Sequence, residues 1–372
     1  MSTATVHLIA AARPNFMKVA PLYHALKAES WCRPVLIHTG QHYDANMSDD
    51  FIRDFGLPDP DYHLEVGSGT HAEQTAGVMV AYEKLCNEAR PDWTVVVGDV
   101  NSTLACTLAA VKLGIPVAHL EAGLRSFDRT MPEEINRVVT DSLADLLWTP
   151  SADADENLKR EGIAAEKIVR VGNIMIDSFE MMRGKIEKAA MPEKIGLKAG
   201  RFGLVTLHRP SNVDTKPALT HVMDALAAVA KTLPLVFPVH PRTRERLRQF
   251  GLEDALRSNP NFRLLEPLGY VEFMSLLSRS ALAMTDSGGI QEETTYLGIP
   301  CLTLRTTTER PITVSQGTNR LVRVDDLAEL AEAALKAPRS AAKKPDLWDG
   351  HTAARVARSL KSAAEQGERK SA

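Results

Sequence analysis

Aromatic residues are scarce, 5% of a 372-residue chain, and they do not interleave with lysine and arginine as a nucleic-acid stacking platform requires. Basic charge is not in surplus either: 44 Lys and Arg stand against 47 Asp and Glu, a formal charge of −3. With no excess of cations to neutralise a phosphate backbone, a nucleic-acid partner is not expected. Cysteine is limited to Cys32, Cys86, Cys106 and Cys301, widely spaced and without a C-x-x-C. That argues against a zinc knuckle or a disulfide framework and for reduced, buried thiols. No uncharged apolar run approaches the roughly 18 residues of a membrane span. The opening MSTATVHLIAAARP lacks the basic n-region and long apolar h-region of a secretion signal. What is present is 44% apolar and 24% charged residues, enough for a sizeable core and not the composition of a disordered chain. The expectation is a globular cytoplasmic protein of about two domains, without membrane insertion.

Short β-branched runs alternate with longer amphipathic stretches, the signature of βαβ units and a parallel sheet. VHLIAA (6–11) reads as a first strand, followed by a helix from Pro14 to about Glu29 with Phe16, Val19, Ala20, Tyr23 and Leu26 on its buried face. RPVLIHTG, TVVVGD (94–99), IPVAHLE (115–121) and KIVRVGN near 170 are further strands. Gly114 ends the helix NSTLACTLAAVKLG, and PEEINRVVTDSLADLLW starts with Pro132 in the first turn and is expected to bury Ile135, Val138, Val139 and Leu143. From Ile174 to about Arg201 no strand is evident, which suits a helical connector. RFGLVTLH, PLVFPVH, FRLLEP, ALAMTDS and IPCLTL then resume the alternation, with a helix over 325–336. The fold class expected is α/β: two Rossmann-like, doubly wound domains facing across a cleft, 1–173 and 174–351. A final helix over about 352–366 packs back on the first.

Ligands of open parallel sheets bind outside the carboxyl ends of the strands, and those ends carry polar residues here. Arg13 and Lys18 follow the first strand; Gly98-Asp99 and His119-Leu120-Glu121 end two others; His208-Arg209, His240 and Ser287-Gly288-Gly289 end three in the second half. Each alone has an ordinary alternative, since a strand-end Asp often caps the next helix. Glu133 and Glu134 suit a helix first turn for the same electrostatic reason. In Asp286-Ser-Gly-Gly-Ile-Gln-Glu-Glu293, small residues before a helix leave backbone N–H groups able to face a phosphate, and a glutamate one turn in could accept ribose hydroxyls. It is neither a Walker loop nor a G-x-G-x-x-G fingerprint, so a dinucleotide is not indicated. His38 and His42 have metal-like spacing but straddle Gly40 at a strand end, which argues against a metal site. His63 and His71 read as solvated.

Taken together, these residues resemble the non-hydrolysing UDP-N-acetylglucosamine 2-epimerases, relatives of the two-domain GT-B glycosyltransferases. The matching segments are Arg13-Pro-Asn-Phe-Met-Lys18, Thr39-Gly-Gln-His42, Gly98-Asp99, His119-Leu-Glu-Ala-Gly-Leu-Arg125, Pro132-Glu-Glu-Ile-Asn-Arg137, Val171-Gly-Asn173, His208-Arg209, Pro238-Val-His240, Asp286 to Glu293 and Thr308-Glu-Arg310-Pro311. The resemblance implies a GT-B fold. It also implies a reaction in which the C2 proton is removed and UDP expelled, leaving a 2-acetamidoglucal to which UDP re-adds after protonation from the opposite face. It implies Asp99, Glu121 and Glu133 as catalytic carboxylates, and Arg13 and Lys18 as cations assisting catalysis or neutralising phosphate. His208 would lie by the diphosphate; Ser287, Gly288 and Gly289 would cradle the phosphates, and Glu293 would hold the ribose. Arg209, His240 and Arg310 complete the expected substrate contacts. Carboxylates crowded beside a diphosphate should include one with a raised pKa, suited to delivering a proton.

No cofactor and no metal are called for, because nothing is oxidised and cationic side chains can neutralise the diphosphate. The partners implied are a UDP-sugar and a second copy of the chain. Many bacterial members bind a second UDP-GlcNAc as activator through polar residues after Gly-Gln-His and a later arginine. Here Gln41-His42 is followed by Tyr-Asp-Ala-Asn and no arginine lies between Arg53 and Arg90, so activation is not expected. The short stretch from Leu124 to Glu133 resembles the branch containing diacetamido-glucuronate nucleotide epimerases. For such a substrate Arg125, Arg129 and Arg137 are the candidate cations. A hydrolysing epimerase, a GT-B glycosyltransferase and a silent UDP-sugar binder remain as alternatives.

Overall fold

A computed structural model describes residues 3–11, 13–40, 52–337 and 344–371. It divides into two compact units, Met1–Met181 with Asp346–Ala372, and Met182–Pro345. In the first unit β1 (Ala4–Ala10) buries its last five residues on both faces, as strands covered by helices on either side do. Helix α1 (Arg13–Lys27) lays Phe16, Val19, Ala20, Tyr23 and Leu26 against the sheet, all under 9% exposed. The unit continues through β2 (Cys32–His38), β3 (Tyr62–His63), α2 (His71–Glu88), β4 (Trp93–Val97), α3 (Asn101–Lys112), β5 (Val117–Leu120), α4 (Pro132–Leu143), β6 (Leu146–Thr149), α5 (Ala152–Arg160), β7 (Ile168–Arg170) and the first half of α6 (Ile174–Ala189), whose second half belongs to the other unit. Among the described residues the sheet has seven parallel strands in the order β3-β2-β1-β4-β5-β6-β7.

The second unit holds β8 (Gly203–Thr206), α7 (Lys216–Ala230), β9 (Leu235–Pro238), α8 (Pro241–Gln249), α9 (Glu253–Ser258), β10 (Phe262–Leu265), α10 (Tyr270–Leu277), β11 (Leu282–Thr285), α11 (Gly288–Leu297), β12 (Cys301–Thr303), β13 (Asn319–Leu321) and α12 (Leu327–Lys336). Its described strands are also all parallel, in the order β10-β9-β8-β11-β12-β13. Leu204, Leu226, Leu235, Phe237, Leu282 and Met284 are fully buried in it. The last helix, α13 (Thr352–Ser371), belongs to the first unit. There Trp148 Nε1 donates to Ser359 Oγ at 3.0 Å, and Asp177 accepts the Thr352 and Ala353 N–H groups at 3.1 and 2.8 Å. Strand order reverses between β1 and β4 in one sheet and between β8 and β11 in the other. These are the switch points where a parallel sheet opens a crevice for ligand.

Two local expectations fail. Helix α4 turns its polar side inward: Glu134, Asn136, Arg137, Thr140 and Asp141 are buried, while Ile135 and Val138 are 44% and 41% exposed. The apolar stripe was real, but what the helix packs against is a layer of charged partners described below. The stretch Leu-Leu-Trp-Thr ending at Thr149 is strand β6 rather than the tail of that helix. A four-residue strand buried on both faces shows no alternation to separate it from a helix. The short strands β3 and β13 also escape the sequence reading.

Candidate active site

The first cluster forms where β1 and β4 part. Lys18, in the second turn of α1, forms an ion pair with Glu121 just past β5. Asn15, three residues earlier, donates from Nδ2 to the Val97 carbonyl at 2.9 Å. Gly98 adopts φ +69°, and a Cβ built there would lie 3.2 Å from Lys18 Nζ, 3.7 Å from Glu121 Oε2 and 3.8 Å from Asn15 Nδ2. The positive φ favours a glycine here, and its missing side chain leaves room for the Lys18 ammonium. Glu121 itself has φ +74°, an uncommon conformation for a side chain of its kind. It is held there by two bonds, its own N–H and that of Ala122 both donating to the Trp148 carbonyl at 3.1 Å. Its carboxylate is 5% exposed, and Oε1 is buried without a hydrogen-bond partner among the described residues. Backbone held in so rare a conformation commonly marks a functional site.

The inward face of α4 supplies the rest of this cluster. Arg137 bridges two acids: Nη2 to Asp99 Oδ2 at 2.5 Å and Nη1 to Glu134 Oε2 at 2.8 Å. Asn136 Nδ2 donates to the Asp99 carbonyl oxygen at 2.9 Å. Burial alone would raise the Glu134 carboxyl. The Ser126 and Phe127 N–H groups at 2.9 and 2.8 Å, together with Arg137, outweigh it and hold the group below the usual carboxylate range. Glu133 is half-buried, and among the described residues no hydrogen bond or ion pair engages its carboxylate. Behind them His119 lies between Asp141 Oδ1 at 2.6 Å and the Gly98 carbonyl at 2.8 Å. Asp141 is wholly buried, which by itself would raise it. The His119 contact, Arg125 Nη2 at 2.8 Å and the Gly123 N–H at 3.0 Å reverse that and keep its carboxyl low.

Of the cations considered for a carboxylated sugar, Arg137 is thus committed to Asp99 and Glu134. Arg125 is buried between Asp141 and Glu161, and Arg129 is exposed. The Arg13 side chain and the Gln41-His42 segment with its following tetrapeptide lie outside the described residues. Asn15, Asn136 and Asp141 belong to the cluster although the sequence did not name them as candidates, and Glu134, read there as an ordinary first-turn acid, faces it too. For the three on α4 the signal was a second, polar stripe, but periodicity alone does not say which stripe turns inward.

The second cluster forms at the β8/β11 switch point. Asp286, fully buried after β11, gathers the loop after β8. Its carboxylate accepts the His208 N–H at 3.1 Å, the Arg209 N–H at 2.9 Å and Asn212 Nδ2 at 3.0 Å, and its Oδ1 lies 3.1 Å from His208 Nδ1. Burial would raise this carboxyl, and those donors lower it further than burial raises it. His240, at the N-terminus of α8, accepts the Arg242 N–H on Nδ1 at 3.3 Å. Its ring centroid is 5.7 Å from that of His208. Burial, then His208 and Arg242, lower its pKa.

Ser287 occupies the N-cap of α11, but its side chain makes no capping bond, which leaves the helix's first N–H groups without that acceptor. A Cβ on Gly288 would meet Glu309 Oε1 at 2.4 Å, whereas Gly289 faces open space. One turn on, Glu292 pairs with Arg310 at 2.9 Å. Glu293 is buried, and burial first, then the neighbouring Glu292 charge, pushes its carboxyl up to about 8. Ser287, Gly288, Gly289, Glu293 and Arg310 therefore share one end of the second sheet with His208, Arg209 and His240.

The family model described as UDP-N-acetylglucosamine 2-epimerase matches residues 24–361. The UDP-N-acetylglucosamine 2-epimerase of Methanocaldococcus jannaschii is 44% identical over 323 residues, 85% of this chain and 87% of that protein. The UDP-2,3-diacetamido-2,3-dideoxy-D-glucuronate 2-epimerase of Pseudomonas aeruginosa is 42% identical over 317 residues, 84% and 87% of the two chains. Among solved structures, that of the M. jannaschii UDP-GlcNAc 2-epimerase in complex with UDP-GlcNAc and UDP superposes with a TM-score of 0.88 at 40% identity, covering 96% of this chain and 99% of that one. The two parallel α/β sheets are of the GT-B type that these structures share. With matches spanning both sheets and both polar clusters, the chain belongs to the UDP-N-acetylglucosamine 2-epimerase family.

Proposed function

We propose that the protein is a non-hydrolysing epimerase that interconverts UDP-N-acetylglucosamine and UDP-N-acetylmannosamine at C2. The observation that carries this reading is the alternation of acids and cations around Gly98: Lys18 with Glu121, and Arg137 with Asp99. Glu121 Oε1 is left buried and unengaged among the described residues. Elimination needs a carboxylate to take the C2 proton while the C1–O electron pair leaves on the β-phosphate and a C1=C2 double bond forms. Re-addition needs a proton delivered to the other face of C2 as the phosphate oxygen returns to C1. Glu121, Asp99 and Glu133 supply acid–base groups for the two faces, and positioned groups of this kind contribute about 10²- to 10⁴-fold each.

The second cluster takes the UDP. Backbone N–H groups at Ser287, Gly288 and Gly289 and the side chains of His208, Arg209 and His240 stabilise the diphosphate, Arg310, held by Glu292 and Glu309, adds positive charge beside Gly288, and Glu293 accepts ribose hydroxyls. Lys18 and Arg13 add positive charge as the diphosphate departs. Relatives with either N-acetylglucosamine or diacetamido-glucuronate names match this chain. The commitment of Arg125 and Arg137 to carboxylates of the protein favours the substrate without the extra acid. We place the enzyme in the cytoplasm, where its four unpaired, buried cysteines stay reduced. A homodimer joined through the outward apolar side of α4 completes the reading.

The test is an NMR time course with UDP-GlcNAc as sole substrate in D₂O. UDP-ManNAc carrying deuterium at C2 is the expected product. Free ManNAc with UDP would move the protein to the hydrolysing class, and an inert spectrum with UDP-GlcNAc followed by turnover of the diacetamido-glucuronate nucleotide would change the substrate.

A further inference from the structure

We infer that Asp286 is a positioning residue that locks the His208 ring in its Nδ1–H form, so that His208 and His240 present one acceptor and one donor nitrogen to the same ligand. The inference rests on the reading that this end of the second unit takes the UDP moiety. Asp286 has no exposed surface, and its carboxylate accepts two backbone N–H groups and the Asn212 amide, with the His208 Nδ1 atom 3.1 Å from Oδ1. A carboxylate surrounded in this way is an acceptor only. The nitrogen 3.1 Å from it, Nδ1, must therefore carry a hydrogen, because the other tautomer would set a lone pair against the carboxylate.

His240 is fixed in the opposite sense. Its Nδ1 accepts the Arg242 N–H at the start of α8, so in the neutral ring the proton resides on Nε2. The burial that lowers its basicity keeps it in that neutral form. Two imidazoles 5.7 Å apart, inclined by 39°, thus differ at Nε2. His240 donates to a phosphate oxygen as it stands. His208 accepts a ligand hydroxyl, or takes up a proton and returns it, at Nε2 alone, while Asp286 retains Nδ1. The arrangement assigns the two histidines different work although both sit at ends of neighbouring strands, and the Asp–His pair orients the ring much as a carboxylate orients a catalytic or metal-binding imidazole elsewhere.

The experiment is ¹⁵N-histidine NMR of the ligand-free protein, with H208N and H240N spectra to assign the signals, followed by kinetics of Asp286→Asn. His208 is expected in the Nδ1–H form and His240 in the Nε2–H form. In the D286N variant the asparagine amide can turn either a donor or an acceptor to the ring, so the His208 signal should lose its single-tautomer pattern. Its kcat for epimerisation should fall about tenfold or more with a smaller change in KM, because the fault lies in orientation rather than in ground-state contact. An Nε2–H form of His208 in the wild-type spectrum overturns the inference, as does an unchanged tautomer and kcat in D286N. The wild-type spectrum needs no variant to fold and no substrate, so it decides the tautomer even if epimerisation is not found. Conversely, turnover with the wrong tautomer would leave the epimerase reading standing.

Discussion

Glu121 has one carboxylate oxygen in an ion pair with Lys18 and the other buried with no partner among the described residues. Such an oxygen costs stability unless a substrate proton or hydroxyl meets it. Glu121→Gln preserves the shape and leaves an amide oxygen to accept from Lys18, but removes the carboxylate that the proposal uses as a base. Its kcat should fall about 10²- to 10⁴-fold with little change in thermal midpoint, read from initial rates of C2 deuteration. Retention of activity within a factor of a few would strike Glu121 from the acid–base set. Glu293 gives the folded chain a pH signature. Its carboxyl titrates near 8 in the folded chain against about 4.5 as the ordinary value, so between those values the folded state binds more protons than the unfolded one. Stability then declines as pH rises from about 4.5 to about 8 and levels off above. Thermal melts across that range should show this decline in the wild type, and Glu293→Gln should flatten it. A ribose whose hydroxyls donate to the ionised form would bind more tightly on the alkaline side, which calorimetry with UDP can read.

Elements with one apolar side against the sheet were legible from sequence. Helix α1 buries the five side chains that its spacing named, because its apolar stripe meets the strands β1 and β2 and the helix α13 rather than charged partners. Helix α4 carries as clear a stripe, yet its inward neighbours are Asp99, the Ser126-Phe127 backbone and His119, which call for Arg137, Glu134 and Asp141. Electrostatic partners on other elements are invisible to a local period, and that also hid Asp286's hold on the loop after β8. The strand-end row itself was legible, since polar residues after apolar runs are a one-dimensional pattern. The pairing of Lys18 with Glu121 across 103 positions was not. Helix α13 depends on an element far away in sequence as well. Asp177 in α6 accepts its first two N–H groups, Thr352 and Ala353, serving as an N-cap supplied by another helix. Asp177→Ala leaves those donors buried and unmet, so stability should drop by about 1–3 kcal/mol. Amide exchange over 352–366 should quicken more than exchange over α1. Equal quickening of both would mean that the aspartate supports the whole unit rather than this helix.

At the scale of the whole molecule, α4 couples two properties that sequence reading kept apart. Its inner side holds Asp99 through Arg137, and its outer side leaves Ile135 and Val138 in solvent beside Phe127, which is 74% exposed in a φ +57° conformation. A hollow of about 310 Å³ lies among these three side chains and Val139, with Arg125 and Arg129 at its rim. Large apolar side chains gathered on one exposed helix face, rather than scattered singly, mark a surface that another molecule covers. In a homodimer with two-fold symmetry the same patch meets itself, so one substitution acts on both sides of the contact. The pair Ile135→Asp and Val138→Asp puts four carboxylates into such an interface and nothing new into the core, since both side chains already face water. Sedimentation should show wild-type dimers and variant monomers at micromolar concentration, with the far-ultraviolet spectrum unchanged. Because the same helix holds Glu133 and Arg137, the monomer should also lose part of its kcat while UDP affinity, which the proposal assigns to the second unit, stays within about twofold. A wild-type chain that sediments as a monomer would remove the dimer, and a monomeric variant with full turnover would separate the outer side of α4 from its inner one.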